Sequence, residues 1–153
     1  MRKLALSLGV SALFLCGGCS IWPKSDFSTS AEKSVRAADL SVDETRTLAG
    51  LSEIEEALRD YYTHERRIPD NLDALVPQYL AAIPTVELGL SQHGDTNRVT
   101  NYNPRILIDG VVDGARIGDT GGWGYVHTDR QVVVFVDCTY LSPNGAPWYS
   151  RQP

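Results

Sequence analysis

The feature that most constrains the fold is a stripe of apolar residues at helical spacing. Four of them follow one another at intervals of three, four and three positions: Leu51, Ile54, Leu58 and Tyr61. This spacing places their side chains on one face of an α-helix, while the charged residues between them fall on the other faces. We predict an amphipathic helix over residues 40–66 that packs this face against the rest of the protein.

Local signals suggest where this helix begins and ends. Ser41 followed by Glu44 has the pattern of a capping box, which favours a helix start at Ser41. Pro69 closes the region, because proline cannot continue a helix. Gly50 is the weak point, since glycine in a helix costs about 1 kcal/mol relative to alanine.

A short turn and a long polar segment follow the helix. Asp70 or Asn71 can cap one turn of helix that begins near Leu72. Residues 85–104 read as a polar loop with several turn-forming residues. A loop of this length in a compact domain tends to be functional or mobile.

The second half of the chain carries a strong hairpin signal. Residues 121–127 and 131–137 are rich in aromatic and β-branched residues and flank a short polar turn. Trp123, Tyr125 and His127 share one face of the first strand. Glycines at 122 and 124 leave room on the other face for close approach of another backbone or a helix.

Further turn dipeptides complete the fold prediction. Residues 105–108 predict a short strand, and Asp109-Gly110 and Asp113-Gly114 predict turns on either side of Val111-Val112. One long helix followed by short strands is typical of an α+β fold. We predict one long N-terminal amphipathic helix packed on a small antiparallel β-sheet.

The start of the chain has the organisation of a signal peptide. Arg2 and Lys3 precede an apolar segment from Leu4 to Leu15. A helix over these twelve residues would span about 18 Å, whereas the hydrocarbon core of a bilayer is about 30 Å thick. The segment is too short for a membrane span, so we predict a signal peptide over residues 1–18.

The residues from Cys16 to Cys19 resemble the lipobox of bacterial lipoproteins, in which small residues precede a cysteine that becomes lipidated. We predict that Cys19 carries the lipid and anchors the chain to a membrane, because more than one acyl chain gives stable anchoring. Ser20 follows instead of an aspartate, which by the sorting rule of enteric bacteria predicts the outer membrane. The alternative is an ordinary secretory signal that leaves Cys19 as a plain thiol.

Composition sets the domain boundaries and limits the partners. Residues 19–38 are rich in Ser, Ala and Lys and predict a tether, followed by one domain over residues 39–153. The net charge of −5 gives no general attraction to nucleic acid. Three cysteines are too few for a disulfide scaffold, and Cys138 follows an apolar run that predicts its burial.

The order of motifs between about residues 45 and 140 resembles the globular domain of the major pseudopilins of type II secretion. The motifs are Leu58-x-x-Tyr61-Tyr62, Ile68-Pro69, Leu72-x-x-Leu75-Val76-Pro77-x-Tyr79-Leu80-x-x-Ile83-Pro84 and Thr120-Gly121-Gly122-Trp123-x-Tyr125. The resemblance implies the α+β fold predicted above and a partner in a secretion or pilus-type assembly.

Two departures from that family bear on function. The chain lacks the long apolar N-terminal segment that forms the core of a pseudopilin filament, and carries the lipobox instead. The Asp-Pro-Trp-Gly motif that lies near the calcium loop of major pseudopilins is missing after Pro84, so their calcium site cannot be carried over. Four loop acids are then the candidate calcium ligands: Asp95, Asp109, Asp113 and Asp119.

Two other site hypotheses each rest on three residues that no motif connects. Exposed aromatic rings can bind glycans, and the candidates are Trp123, Tyr125 and Trp148. A hydrolase would require His127, Asp137 and Ser142 to converge in a cleft. Neither a nucleophile elbow nor a phosphate-binding glycine pattern is present in the sequence.

These observations favour a non-enzymatic envelope lipoprotein. We expect a pseudopilin-like domain that acts through contact with proteins of a type II secretion or pilus-type system. It would be held at the membrane by the lipid on Cys19, with no other cofactor. The alternative is a small glycan- or calcium-binding surface lipoprotein.

Overall fold

One α-helix and two small β-sheets form the fold over residues 27–151, the part of the chain that the computed structural model describes. The elements within this range are α1 (Phe27–Glu65), β1 (Val99–Tyr102), β2 (Leu107–Ile108), β3 (Val111–Val112), β4 (Trp123–His127) and β5 (Val132–Val136). Short 3₁₀ turns connect several of them. The predicted α+β class is confirmed.

The central sheet has the strand order β1-β4-β5. β4 and β5 form the predicted antiparallel hairpin, with Trp123 opposite Val136 and His127 opposite Val132. β1 pairs with β4 in parallel, so the sheet is mixed and not purely antiparallel. The prediction of a loop over residues 85–104 is therefore wrong for Val99–Tyr102, because pairing with the backbone of β4 outweighs the polar sequence of this segment.

The second sheet is the small hairpin of β2 and β3, which are antiparallel. Its turn is the predicted Asp109-Gly110 dipeptide, and both residues have positive φ values of 52° and 82°. A second apolar cluster includes residues of this region and of the central hairpin: Ile106, Val112, Val126 and Phe135. α1 packs on the other face of the central hairpin, so that hairpin is covered on both sides.

The helix begins at Phe27, well before the predicted start. The capping-box interpretation is wrong, because Ser41 lies inside the helix and Glu44 pairs with Arg151 at 2.6 Å. Residues 27–38 of the predicted tether are helical, since no glycine or proline interrupts them. The rest of the tether, Cys19 and the predicted signal peptide lie outside the described residues.

The first part of α1, residues 27–39, precedes the part that packs on the sheet, and we call it the helical stalk. Every side chain from residue 32 to residue 39 is exposed. Leu40 is the first half-buried residue of the helix. Among the described residues, no helix combines the length and the hydropathy that a transmembrane segment needs.

The predicted apolar stripe is the face of α1 that enters the core. Leu51 and Ile54 are fully buried, Tyr61 is 4 % exposed, and Leu58 is half-buried. They pack in one cluster with Trp123 and other residues of the central hairpin. α1 ends at Glu65, and Arg66 follows with φ 56°, the left-handed conformation that often terminates a helix.

Gly50 has a packing role in this interface. A Cβ atom at this position would lie 2.9 Å from the Cβ of Pro84 and 3.5 Å from the indole of Trp123. The missing side chain therefore lets Pro84 approach the helix directly. The glycine that weakens the isolated helix is explained by this close contact.

Substitution of the stripe tests this packing. We expect Ile54→Ala to lower the free energy of unfolding by about 2–5 kcal/mol, because it leaves a cavity in the core. Val42→Ala is the matched control on the same helix, since Val42 is 47 % exposed, and should cost less than about 0.5 kcal/mol. Urea unfolding measures both, and equal losses would contradict the observed orientation of α1.

Candidate functional site

The aromatic residues proposed to bind a glycan lie in the core. Trp123 and Trp148 are fully buried, and Tyr125 is 1 % exposed. The indole of Trp123 donates a hydrogen bond to the carbonyl of Pro84, and the hydroxyl of Tyr125 donates one to the carbonyl of Pro69. Burial raises the pKa of Tyr125 above its usual range. Because these rings fill the interior, the assignment of a glycan-binding role to them is wrong.

The four candidate calcium ligands do not converge. Asp113 caps a 3₁₀ turn through the backbone N–H of Ala115 and pairs with Arg116 at 2.9 Å. Asp109 lies in the β2–β3 turn, and Asp95 is exposed. Within residues 32–151, one group of three potential metal ligands comes together. Asp119 belongs to this group, and the other three acids do not. Aspartates in turns commonly bond their own backbone, which explains the outcome for Asp113.

The hydrolase constellation is not assembled. His127 lies at one end of the β4–β5 hairpin and Asp137 just beyond the other end, which separates them by about 17 Å of strand. The ring of His127 lies beside that of Tyr125, with centroids 5.7 Å apart. Ser142 donates its hydroxyl hydrogen bond to Asn144. The structure gives each of these residues separate surroundings.

Asp137 organises the turn that precedes β4. Its fully buried carboxylate accepts hydrogen bonds from the hydroxyls of Tyr102 at 2.8 Å and Thr120 at 2.5 Å, and from the backbone N–H groups of Asp119 and Thr120. Tyr102 in turn accepts a bond from the N–H of Gly118 at 2.6 Å. Burial and the bond to Asp137 raise the pKa of Tyr102 to about 12. This network sets the position of Asp119.

Three chemically reactive side chains meet beside this turn, and we call them the 93–119–138 cluster: His93, Asp119 and Cys138. Each offers one potential ligand atom, and these atoms all lie within 4.8 Å of one another. His93 comes from the segment before β1, Asp119 from the turn before β4, and Cys138 from the end of β5. No motif in the sequence predicts that these three residues meet.

The pairing of the predicted hairpin is a sequence signal that places two of these residues close together. Trp123 lies opposite Val136, so Asp119, before β4, and Cys138, after β5, lie beyond the same end of the hairpin. No periodicity or motif links His93 to this end, because its position depends on how residues 85–98 fold over the sheet. The sequence therefore contains a signal that Asp119 and Cys138 are close, but no signal that His93 joins them.

His93 is held in a closely packed position. Its Nε2 lies 3.6 Å from Oδ1 of Asp119, and it is buried with no hydrogen-bond partner among the described residues. Gly121 has φ 77°, and a Cβ atom there would lie 2.7 Å from the Cβ of His93. The ring of Tyr140 meets that of His93 edge-on, with centroids 5.7 Å apart. Only glycine at 121 leaves room for the imidazole.

The thiol of Cys138 is fully buried, as predicted. Burial raises its pKa to about 11, and the nearby carboxylates of Asp119 and Asp137 act in the same direction. Oδ1 of Asp119 accepts a hydrogen bond of 2.7 Å from the backbone N–H of Thr139. A cysteine in these surroundings is a poor nucleophile in the absence of a cation.

A groove lies along the opposite part of the domain, between the second half of α1 and β5. Its volume is about 960 Å³, and we call it the α1–β5 groove. Apolar residues on its walls include Leu58, Ile68 and Val132, and charged residues include Arg59 and Arg130. β5 is the last strand of its sheet, so no strand within residues 27–151 pairs with its outer edge.

Comparison of the chain with models of protein families, with curated proteins and with solved structures found no match. The resemblance to major pseudopilins stays a prediction.

Replacement of Asp137 tests the network beneath the cluster. We expect Asp137→Asn to lower the free energy of unfolding by about 2–3 kcal/mol, because an amide NH₂ group would face donors that now bond a carboxylate. Asp129→Asn in the exposed hairpin turn is the control and should cost less than about 0.5 kcal/mol. Urea unfolding measures both variants. An unchanged free energy of unfolding in Asp137→Asn would refute the role of this network.

Proposed function

We propose that the chain is a lipid-anchored envelope protein that acts by contact with other proteins, as a non-enzymatic component of a type II secretion or pilus-type assembly. The observation that carries the proposal is the unpaired edge of β5 beside the α1–β5 groove. A strand edge without a partner strand, next to a groove with apolar walls, is a surface that can receive an extended segment of another protein.

The groove has the chemistry of a peptide-binding surface. Leu58, Ile68 and Val132 supply apolar contacts, while Arg59 and Glu55 lie on the helix side as charged contacts. Three of the five residues of β5, Val132 to Val134, line the groove, and they correspond to about 10 Å of partner strand. Backbone hydrogen bonds would provide affinity, and the side chains of the groove would select the sequence of the partner.

The helical stalk supports the proposed anchor. Residues 27–39 rise about 20 Å as a helix, and the side chains that the structure describes in this segment are exposed. A lipid on Cys19 would lie a few residues before this helix. The domain would then stand off the membrane on a rigid spacer, with the groove available to a partner.

The proposed class of partner rests on the resemblance to pseudopilins. The motifs that carry it meet in the fold, since Trp123 bonds the carbonyl of Pro84 and Tyr125 bonds that of Pro69. The motifs therefore describe how a long helix packs against a sheet. The alternative of a glycan- or calcium-binding lipoprotein loses the residues on which it was based, because the aromatic rings are buried and the four acids lie apart.

Metabolic labelling tests the anchor. Cells that express the wild-type chain with a radioactive fatty acid should yield a labelled protein, and Cys19→Ser should abolish the label because the acylated sulfur is lost. Cys16→Leu is the matched control and should retain the label, because it removes the other nearby thiol and places an aliphatic residue three positions before Cys19. Equal labelling of wild type and Cys19→Ser would disprove lipidation at this residue.

Photo-crosslinking in cells tests the docking surface. Benzoylphenylalanine replaces Tyr62, which lines the groove and is 53 % exposed, or Tyr140, which lies outside it and is 41 % exposed. We expect position 62 to give a discrete adduct with a secretion or pilus protein, and position 140 to give none. The absence of an adduct at position 62, or equal adducts at both positions, would contradict the proposed surface.

A further inference from the structure

The 93–119–138 cluster presents a nitrogen, an oxygen and a sulfur atom to one point. Imidazole, carboxylate and thiolate are the ligands that Zn²⁺ takes in proteins. We propose that His93, Asp119 and Cys138 form a zinc site with a fourth position open to water or to a group from a partner. This inference is independent of the proposed docking function.

The distances suit a tetrahedral ion. Nε2 of His93 and Oδ1 of Asp119 are 3.6 Å apart, while two such ligands at about 2.1 Å from a tetrahedral zinc lie about 3.4 Å apart. Sγ of Cys138 lies within 4.8 Å of a ring nitrogen of His93 and of a carboxylate oxygen of Asp119, and a zinc–sulfur bond of about 2.3 Å requires a separation near 3.6 Å. Small side-chain rotations therefore bring all three ligands into place.

The surroundings of His93 favour a cation over a purely structural role. Its Nε2 is buried and has no hydrogen-bond partner among residues 32–151, and the contact with Asp119 is too long for a hydrogen bond. A buried polar atom without a hydrogen-bond partner lowers the stability of the folded state. A metal ion bound at Nε2 removes this penalty, and Asp119 is already oriented by the backbone N–H of Thr139.

The thiol determines which metal fits. Binding replaces the S–H bond of Cys138 with a zinc–sulfur bond and releases one proton to solvent, so affinity rises with pH. The two negative charges of the thiolate and of Asp119 then balance the ion. Ca²⁺ and Mg²⁺ prefer oxygen ligands, so a site with one thiolate and one imidazole selects Zn²⁺ or a similar transition metal.

Cobalt substitution gives a direct readout of the ligands. The protein is the full-length chain in detergent with Cys16→Ser and Cys19→Ser, so that Cys138 is the remaining thiol. We expect Co²⁺ to bind with 1:1 stoichiometry and to give a thiolate-to-cobalt charge-transfer band together with the visible bands of a tetrahedral site. Zn²⁺ should displace the cobalt and abolish both spectra.

Variants distinguish this site from adventitious binding. His93→Asn and Cys138→Ser should each weaken Zn²⁺ binding at least about 10-fold in competition with a chromophoric chelator. His64→Asn is the control, because His64 is exposed on α1 and bonds the carbonyl of Asp60, and it should bind like the parent. Unchanged affinity in His93→Asn or in Cys138→Ser would overturn the proposal.

Thermal unfolding provides a second measurement that does not depend on spectra. Saturating Zn²⁺ should raise Tm by about 5 °C or more in the parent and in His64→Asn, because the ion binds the folded state preferentially. His93→Asn should fold without metal and lose the increase. A parent Tm that Zn²⁺ leaves unchanged, with no charge-transfer band from Co²⁺, would disprove the site.

Discussion

Trp123 lies fully buried at the point where the helix, the segment that follows it and the central sheet meet. Its indole ring approaches α1 at Gly50, and its N–H bonds the carbonyl of Pro84. One side chain thus joins three parts of the chain that are distant in sequence. The position of the turn at Asp119 depends on this packing, because the turn leads into β4, which begins at Trp123.

Beyond this centre, the two faces of the hairpin have different roles. The face with Tyr125 supports the helix, while that with Phe135 packs against the β2–β3 region. Gly124 leaves the space that the ring of Phe135 occupies, and Gly122 admits the backbone of Arg98. The expectation that these two glycines leave room for another backbone or a helix is confirmed at Gly122 and wrong at Gly124, where the neighbour is an aromatic ring.

Features coded by neighbouring residues could be predicted from the sequence. The stripe from Leu51 to Tyr61, the β4–β5 hairpin and the cap at Asn71 all agree with the structure. Features that depend on distant contacts could not, because no local pattern records them. β1 forms through its pairing with β4, and His93 reaches Asp119 through the path of its whole segment. The early start of α1 was missed because its exposed turns have no apolar stripe to detect.

The continuity of α1 connects its exposed first turns, the end nearest the proposed lipid anchor, to the core through one helix. The same unbroken helix carries the helical stalk and the buried residues Leu51 and Ile54. Each residue of an α-helix rotates the chain by about 100° around the helix axis and advances it by about 1.5 Å along that axis. The number of residues in the helical stalk therefore sets the direction in which the groove faces around the axis of α1, relative to the start of the helix. One added residue would rotate the groove by about 100° around this axis.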